Sequence, residues 1–122
     1  DTPARMLVPL LVRSLESTGL WRAVTPMPTT VRGDYRLDTF GLVVQQEFLQ
    51  QPSRTRLLLR TQLIDLKDQR VIGTRSFEAL ESAPSDDAYG GVVAANRAAA
   101  KVLQAVESWI TSCLRGPVKT DC

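Results

Sequence analysis

A chain of 122 residues, 43% of them hydrophobic and 23% charged, suffices for one packed core and is too short for two. Its net charge of +2 gives no general footprint for nucleic acid or an anionic membrane. The absence of histidine excludes Ser-His-Asp and Cys-His catalysis, His-ligated metal and the usual general base near neutral pH. Two cysteines are too few for a zinc cage, so neither metal nor cofactor is expected.

The first element is a helix over residues 4–18. Thr2-Pro3 suits its start, Leu7, Val8, Leu11 and Leu15 repeat at helical spacing, and Gly19 stops the run. Pro9 either kinks this helix or delays its regular part to about Val8. Leu20 to Val24 reads as a brief strand, and the segment from Thr25 to Asp34, with Pro26, Pro28 and Gly33, reads as turns.

Three strand patterns follow, Tyr35 to Leu49, Thr55 to Leu66 and Arg70 to Leu80. The breaks between them are short enough for hairpins, which predicts an antiparallel meander. Register decides which side chains share a face. Pairing Thr61 with Arg75 and Leu59 with Phe77 puts Leu57, Leu59, Leu63, Val71, Phe77 and Ala79 on one face. Pairing Glu47 with Arg56 adds Phe40, Leu42, Val44 and Phe48 to it. The opposite face then holds Gln45, Glu47, Arg56, Arg60, Gln62, Thr74, Ser76 and Glu78, interrupted by Val43, Leu49, Leu58, Ile64 and Ile72. Those apolar interruptions exceed what a fully wet face needs, so a loop, a missing N-terminal segment or a partner protein is expected to cover them, and in the last case Glu47, Arg56, Arg60 and Gln62 mark a candidate partner-facing surface. Cross-strand ion pairing with Glu47 and Glu78 is adequate to explain Arg56 and Arg60.

The last long element is an amphipathic helix. Ser85 is its candidate N-cap, Asp86 and Asp87 suit the helix dipole, and Val92, Ala95, Ala99, Val102, Leu103, Val106, Trp109 and Ile110 form the apolar stripe. The alanines permit close approach to a sheet, and Trp109 anchors the far end in the core with Phe77 and Phe48. The expected fold is a single α+β domain over residues 1–122, with residues 115–122 as a tail. It is a two-layer sandwich in which both helices pack on the apolar face of the meander.

The residue types that carry chemistry have structural readings here. Asp86 and Asp87 diverge on a helix and suit capping better than paired catalysis. Tyr89-Gly90-Gly91 lacks both phosphate-loop patterns. Arg75 falls on the apolar face, where it is either an anion or partner contact or a structural arginine paired with a carboxylate such as Asp65. Cys113 and Cys122 either close a small disulfide loop in an oxidising compartment or remain two thiols near the C-terminus. No catalytic residue is assigned.

Several pieces, taken in order, resemble the ABC-type transport auxiliary lipoproteins of Gram-negative bacteria. They are Leu15-Glu16-Ser17-Thr18-Gly19-Leu20-Trp21-Arg22-Ala23-Val24, Tyr35-Arg36-Leu37-Asp38, Gln46-Glu47-Phe48, Arg75-Ser76-Phe77, and the run from Ser85-Asp86 through Ala94-Ala95-Asn96-Arg97-Ala98 to Ser108-Trp109-Ile110. The resemblance implies a non-enzymatic periplasmic component of an intermembrane lipid transport system of the MCE (mammalian cell entry) type. Its partners would be an ABC permease complex and an MCE-type substrate-binding protein, with copies of itself or a lipid as further candidates and no nucleic acid. It also implies outer-membrane anchoring through an acylated N-terminal cysteine. The chain shows no lipobox cysteine and none of the family's strands ahead of the first helix, so it is expected to be a trimmed chain. The alternative function is a periplasmic module holding an acyl chain between sheet and helices.

Overall fold

In the computed structural model, residues 3–17, 24, 33–48, 52–115 and 122 are described. They form helix α1 (Pro3–Glu16), strands β1 (Tyr35–Glu47), β2 (Arg54–Asp65) and β3 (Arg70–Ser82), and helix α2 (Ala88–Arg115). The strands make an antiparallel sheet in the order β1-β2-β3. One face of it packs against the two helices, as the two-layer α+β sandwich requires. The brief strand expected over Leu20 to Val24 lies outside the described residues except for Val24, which packs half-buried against the core.

Strand β2 sets the layers. Thr55, Leu57, Leu59, Thr61, Leu63 and Asp65 are all buried, while the residues between them face the other way. Leu59 and Leu63 are almost fully enclosed, and burial of each contributes about 1.5–3 kcal/mol. Across the second hairpin Thr61 faces Arg75 and Leu59 faces Phe77, the register read from the sequence. Beyond Leu63 that register shifts, because Leu63 faces Gly73 whereas Ile64 faces Val71. The extra residue is Ile72, which turns into the core, while Val71 is 47% exposed. A bulge therefore exchanges the faces expected for Val71 and Ile72.

A second bulge corrects strand β1. Glu47 faces Arg54 rather than Arg56, a two-residue difference that leaves its face unchanged. Between Phe40 and Val43 the register shifts again, and Gly41 has φ +63°, the left-handed conformation of a glycine bulge. The bulge places Tyr35, Leu37 and Thr39 opposite Asp65, Leu63 and Thr61 on the helix-covered face, and Phe40 opposite Arg60 on the other. Phe40 is thus not in the core.

Phe48 is not a core residue either. It is 72% exposed, and Val44 on the same strand face is also exposed. The reason is coverage: α2 packs over β2 and β3, whereas α1 packs against α2 and only part of β1. Near the end of edge strand β1 the first turn of α2 stands by the Gln46 side chain, at Gly91, and leaves Val44 and Phe48 open.

Helix α2 buries a stripe that begins one position away from the expected one. Gly90, Ala94, Ala98, Val102, Val106 and Ile110 recur every four residues, joined by Leu103, Trp109 and Cys113. Val92 is 57% exposed, and Ala95 and Ala99 are half-buried. Small side chains decide this rotation, because glycine and alanine let the first half of α2 approach the sheet more closely than valine would. The N-cap is Asp87 rather than Ser85: its Oδ1 accepts the Gly90 amide at 2.8 Å and the Ser85 hydroxyl at 2.6 Å. Ser85 folds back so closely that a Cβ on Gly90 would lie 2.0 Å from its carbonyl oxygen. Helix α1 is tied to α2 through Ser14 Oγ, which donates to Glu107 Oε2 at 2.6 Å, and through buried Leu11 and Leu15.

Candidate interaction surface

The face of the sheet turned away from the helices carries Glu47, Arg56, Arg60 and Gln62. Alternation along β2 puts Arg54, Arg56, Leu58, Arg60, Gln62 and Ile64 on it, and the observed pairing adds Val43, Phe40, Glu78, Leu80 and Val71. Arg56 sits at the centre of its charged part. Its Nε donates to Glu47 Oε2 at 3.0 Å, its Nη1 pairs with Glu78, and Arg54 Nη2 lies 3.7 Å from Glu47 Oε1. The Arg56 hydrogen bond, opposed by partial desolvation, holds the Glu47 carboxyl below its usual range.

Arg60 is not part of that ion network. Its guanidinium carbon lies 5.3 Å from the Phe40 ring centroid, a cation–π arrangement created by the Gly41 bulge. Gln62 Nε2 lies 3.5 Å from Thr74 Oγ1. Exposed Phe40, Val43 and Val71 interrupt these polar groups, with Leu58, Ile64 and Leu80 half-buried among them. Such a mixture can contribute apolar area to a partner while its pre-paired charges set orientation.

The remaining candidates take other places. Phe77 and Trp109 are buried together, their rings edge to face with centroids 5.8 Å apart. Arg75 is exposed and makes no ion pair among the described residues, and its carbonyl accepts the Thr61 hydroxyl at 2.9 Å. Asp65, its expected partner, instead accepts the amides of Lys67 and Asp68 and shapes the β2–β3 turn. Asp86 Oδ1 lies 3.4 Å from the Ser53 amide. Cys113 and Cys122 are joined in a disulfide, and Trp109 Nε1 donates to the Cys122 carbonyl at 3.1 Å.

Among the described residues no group of three or more Cys, Asp or Glu side chains could hold a metal ion. None of the described helices is long and apolar enough to cross a membrane. Two features escaped the sequence reading, the Arg60–Phe40 contact and the Trp109–Cys122 contact. The sequence signal for both is an isolated glycine within a strand, Gly41 beside Phe40 and Gly73 beneath Trp109.

These features define an α+β domain with one sheet face packed against helices and the other studded with paired charges and apolar side chains. Among solved structures the chain is similar to protein XCC0632 from Xanthomonas campestris, described under family DUF330. The TM-score is 0.75 at 25% identity, over 87% of this chain and 59% of that one. It also shares its fold with a candidate lipoprotein from Caulobacter crescentus CB15, with a TM-score of 0.52 at 18% identity, over 88% of this chain and 83% of that one. The chain thus spans 59% of the length of the Xanthomonas protein. No family model and no curated protein sequence matches it.

Proposed function

We propose that this chain is the folded domain of a non-enzymatic periplasmic lipoprotein, an accessory subunit that bridges an ABC/MCE-type lipid transport system to the outer membrane. In this reading an acyl anchor in the full-length protein holds it to the membrane, and the domain contacts an MCE-type substrate-binding protein or the permease complex. The observation that carries the reading is the agreement of fold with the DUF330 protein and the candidate lipoprotein, over 87% and 88% of the chain. Its ordered resemblance to the auxiliary lipoproteins supports it further. The open sheet face around Arg56, Arg60 and Phe40 is the surface offered to the partner.

The alternative, an acyl chain held between sheet and helices, meets a filled interior under α2. Ala94, Ala98, Val102 and Val106 are enclosed there, as are Leu59, Leu63 and Ile72 of the sheet. A chain inserted between them would have to displace packed side chains.

The test is co-purification of the full-length protein with the MCE protein and permease of the same organism, comparing wild type with the double variant R56E/R60E. Retention of both partners by wild type and at least a tenfold weaker association of the variant are expected, on the order of 1.4 kcal/mol or more. Failure of the wild type to retain either partner would overturn the proposed role. Unchanged association of the folded variant would overturn the assigned surface.

A further inference from the structure

Helix α2 ends in a cluster whose parts come from three places in the chain. Trp109 and Cys113 stand one turn apart on the buried stripe, both 3% exposed. Cys122, joined to Cys113, is half-buried with the two Cα atoms 5.4 Å apart. Its carbonyl takes the indole N–H of Trp109.

Strand β3 supplies the seat. A Cβ on Gly73 would lie 3.2 Å from Trp109 Cζ2, 3.4 Å from the Cys122 carbonyl oxygen and 3.5 Å from Cys122 Sγ. Gly73 is itself buried, beside the inward-turned Ile72 of the β3 bulge. The absence of a side chain therefore leaves room for both the indole and residue 122.

We propose that the Cys113–Cys122 disulfide is a redox-operated latch, which when closed seats residue 122 over Gly73 and caps the Trp109 indole, and when reduced uncovers that end of the core. The latch acts at one edge only. The part of the core that holds Leu57 and Leu59 of β2 and Ala98 of α2, and the Asp87 cap, contain neither cysteine.

Opening needs a dithiol reductant of the small-molecule or thioredoxin-like class. A thiolate of the reductant attacks the more accessible sulfur, that of half-buried Cys122, and Cys113 leaves as a thiolate that takes a proton. The second thiol of the reductant then resolves the mixed disulfide, releasing Cys122 as a thiol and the reductant as its own disulfide. Two electrons and two protons pass to the protein. Once residue 122 is free, the indole N–H loses its acceptor, an unfavourable state that is relieved when water reaches the N–H at that edge of the core.

This inference does not depend on the transport role. The test compares the air-oxidised and dithiol-reduced chain by NMR, with the two indole signals assigned through sequential connectivities. Hydrogen exchange at the Trp109 indole should become roughly two- to tenfold faster on reduction, the factor implied by loss of one net hydrogen bond, with the far-UV circular dichroism unchanged. The C122S variant should exchange at the reduced rate with or without dithiol. Equal exchange in the oxidised and reduced forms would overturn the latch, as would loss of the helix and sheet signals on reduction, which would make the disulfide a requirement of the whole fold.

Discussion

Replacing Trp109 with alanine tests the whole arrangement of α2 on the sheet. The side chain is almost entirely buried, stacks edge to face on Phe77, lies against Gly73 and donates its indole N–H to the Cys122 carbonyl. Truncation of a buried tryptophan of this kind costs about 3–5 kcal/mol, combining lost transfer free energy with the cavity left behind. Within that total the aromatic pair accounts for about 0.5–1.5 kcal/mol. For a domain of 122 residues each kcal/mol shifts Tm by roughly 3–6 °C, so a fall of at least about 10 °C is expected. Urea denaturation of the oxidised protein, followed at 222 nm, gives the free energy directly. Trp109→Phe separates the contributions: it retains a ring against Phe77 and loses the indole donor with the part of the ring system that lies against Gly73, and should cost about 1–3 kcal/mol. A loss below about 1 kcal/mol for Trp109→Ala, with an unchanged denaturant slope, would refute the placement of Trp109 in the core.

Two adjacent glycines in the first turn of α2 should respond oppositely. Gly90→Ala drives a Cβ into the Ser85 backbone, which cannot yield without opening the cap, and should destabilise by about 1–3 kcal/mol. Gly91→Ala meets only the end of the Gln46 side chain, at 3.1 Å, and should be neutral or stabilising by up to about 1 kcal/mol, the helix preference of alanine over glycine. Equal losses in thermal melts of the two variants would contradict the close return of Ser85. Acid titration supplies the remaining prediction. Asp87, through the Ser85 hydroxyl and the Gly90 amide, and Glu47, through Arg56, both have carboxyl pKa values below their usual 3.8 and 4.5. A depressed folded-state pKa contributes stability above the unfolded value, and that contribution is lost as pH falls through the folded one. Urea midpoints should therefore drop as pH falls below about 4.5, more steeply for wild type than for D87N/E47Q. Parallel pH profiles would show that neither carboxylate is coupled to folding.

Much of the architecture was legible because its signals are local and repeated. The alternation of Leu57, Leu59 and Leu63 with arginines, and the short break at Lys67-Asp68-Gln69, suffice for the second hairpin and its register. What failed was continuity. A period-two reading assumes that alternation never slips, and each bulge adds one residue that exchanges faces for everything beyond it. Hence Phe40 faces outward beside Arg60, Val71 and Ile72 trade sides, and Leu37 joins the core, while Val44 and Phe48 keep the expected face and are exposed for want of helix coverage. Both slips occur at an isolated glycine, Gly41 and the neighbourhood of Gly73.

The misplaced half of α2 has a different origin. Hydrophobicity ranks Val92 above Ala94, yet the sheet selects for smallness where the helix runs closest, so the stripe follows Gly90, Ala94 and Ala98. Volume outranks hydrophobicity at a close crossing, and only the position of a second element reveals where that crossing is. The same reasoning explains the candidate surface. Composition could place Glu47, Arg56, Arg60 and Gln62 on one face. The bulge at Gly41 was needed to bring Phe40 beneath Arg60 and so add an aromatic ring to the apolar side chains of that face. A partner that uses this face should therefore be more sensitive to loss of Phe40 than to loss of Gln62, since only the former combines exposed apolar area with a held cation.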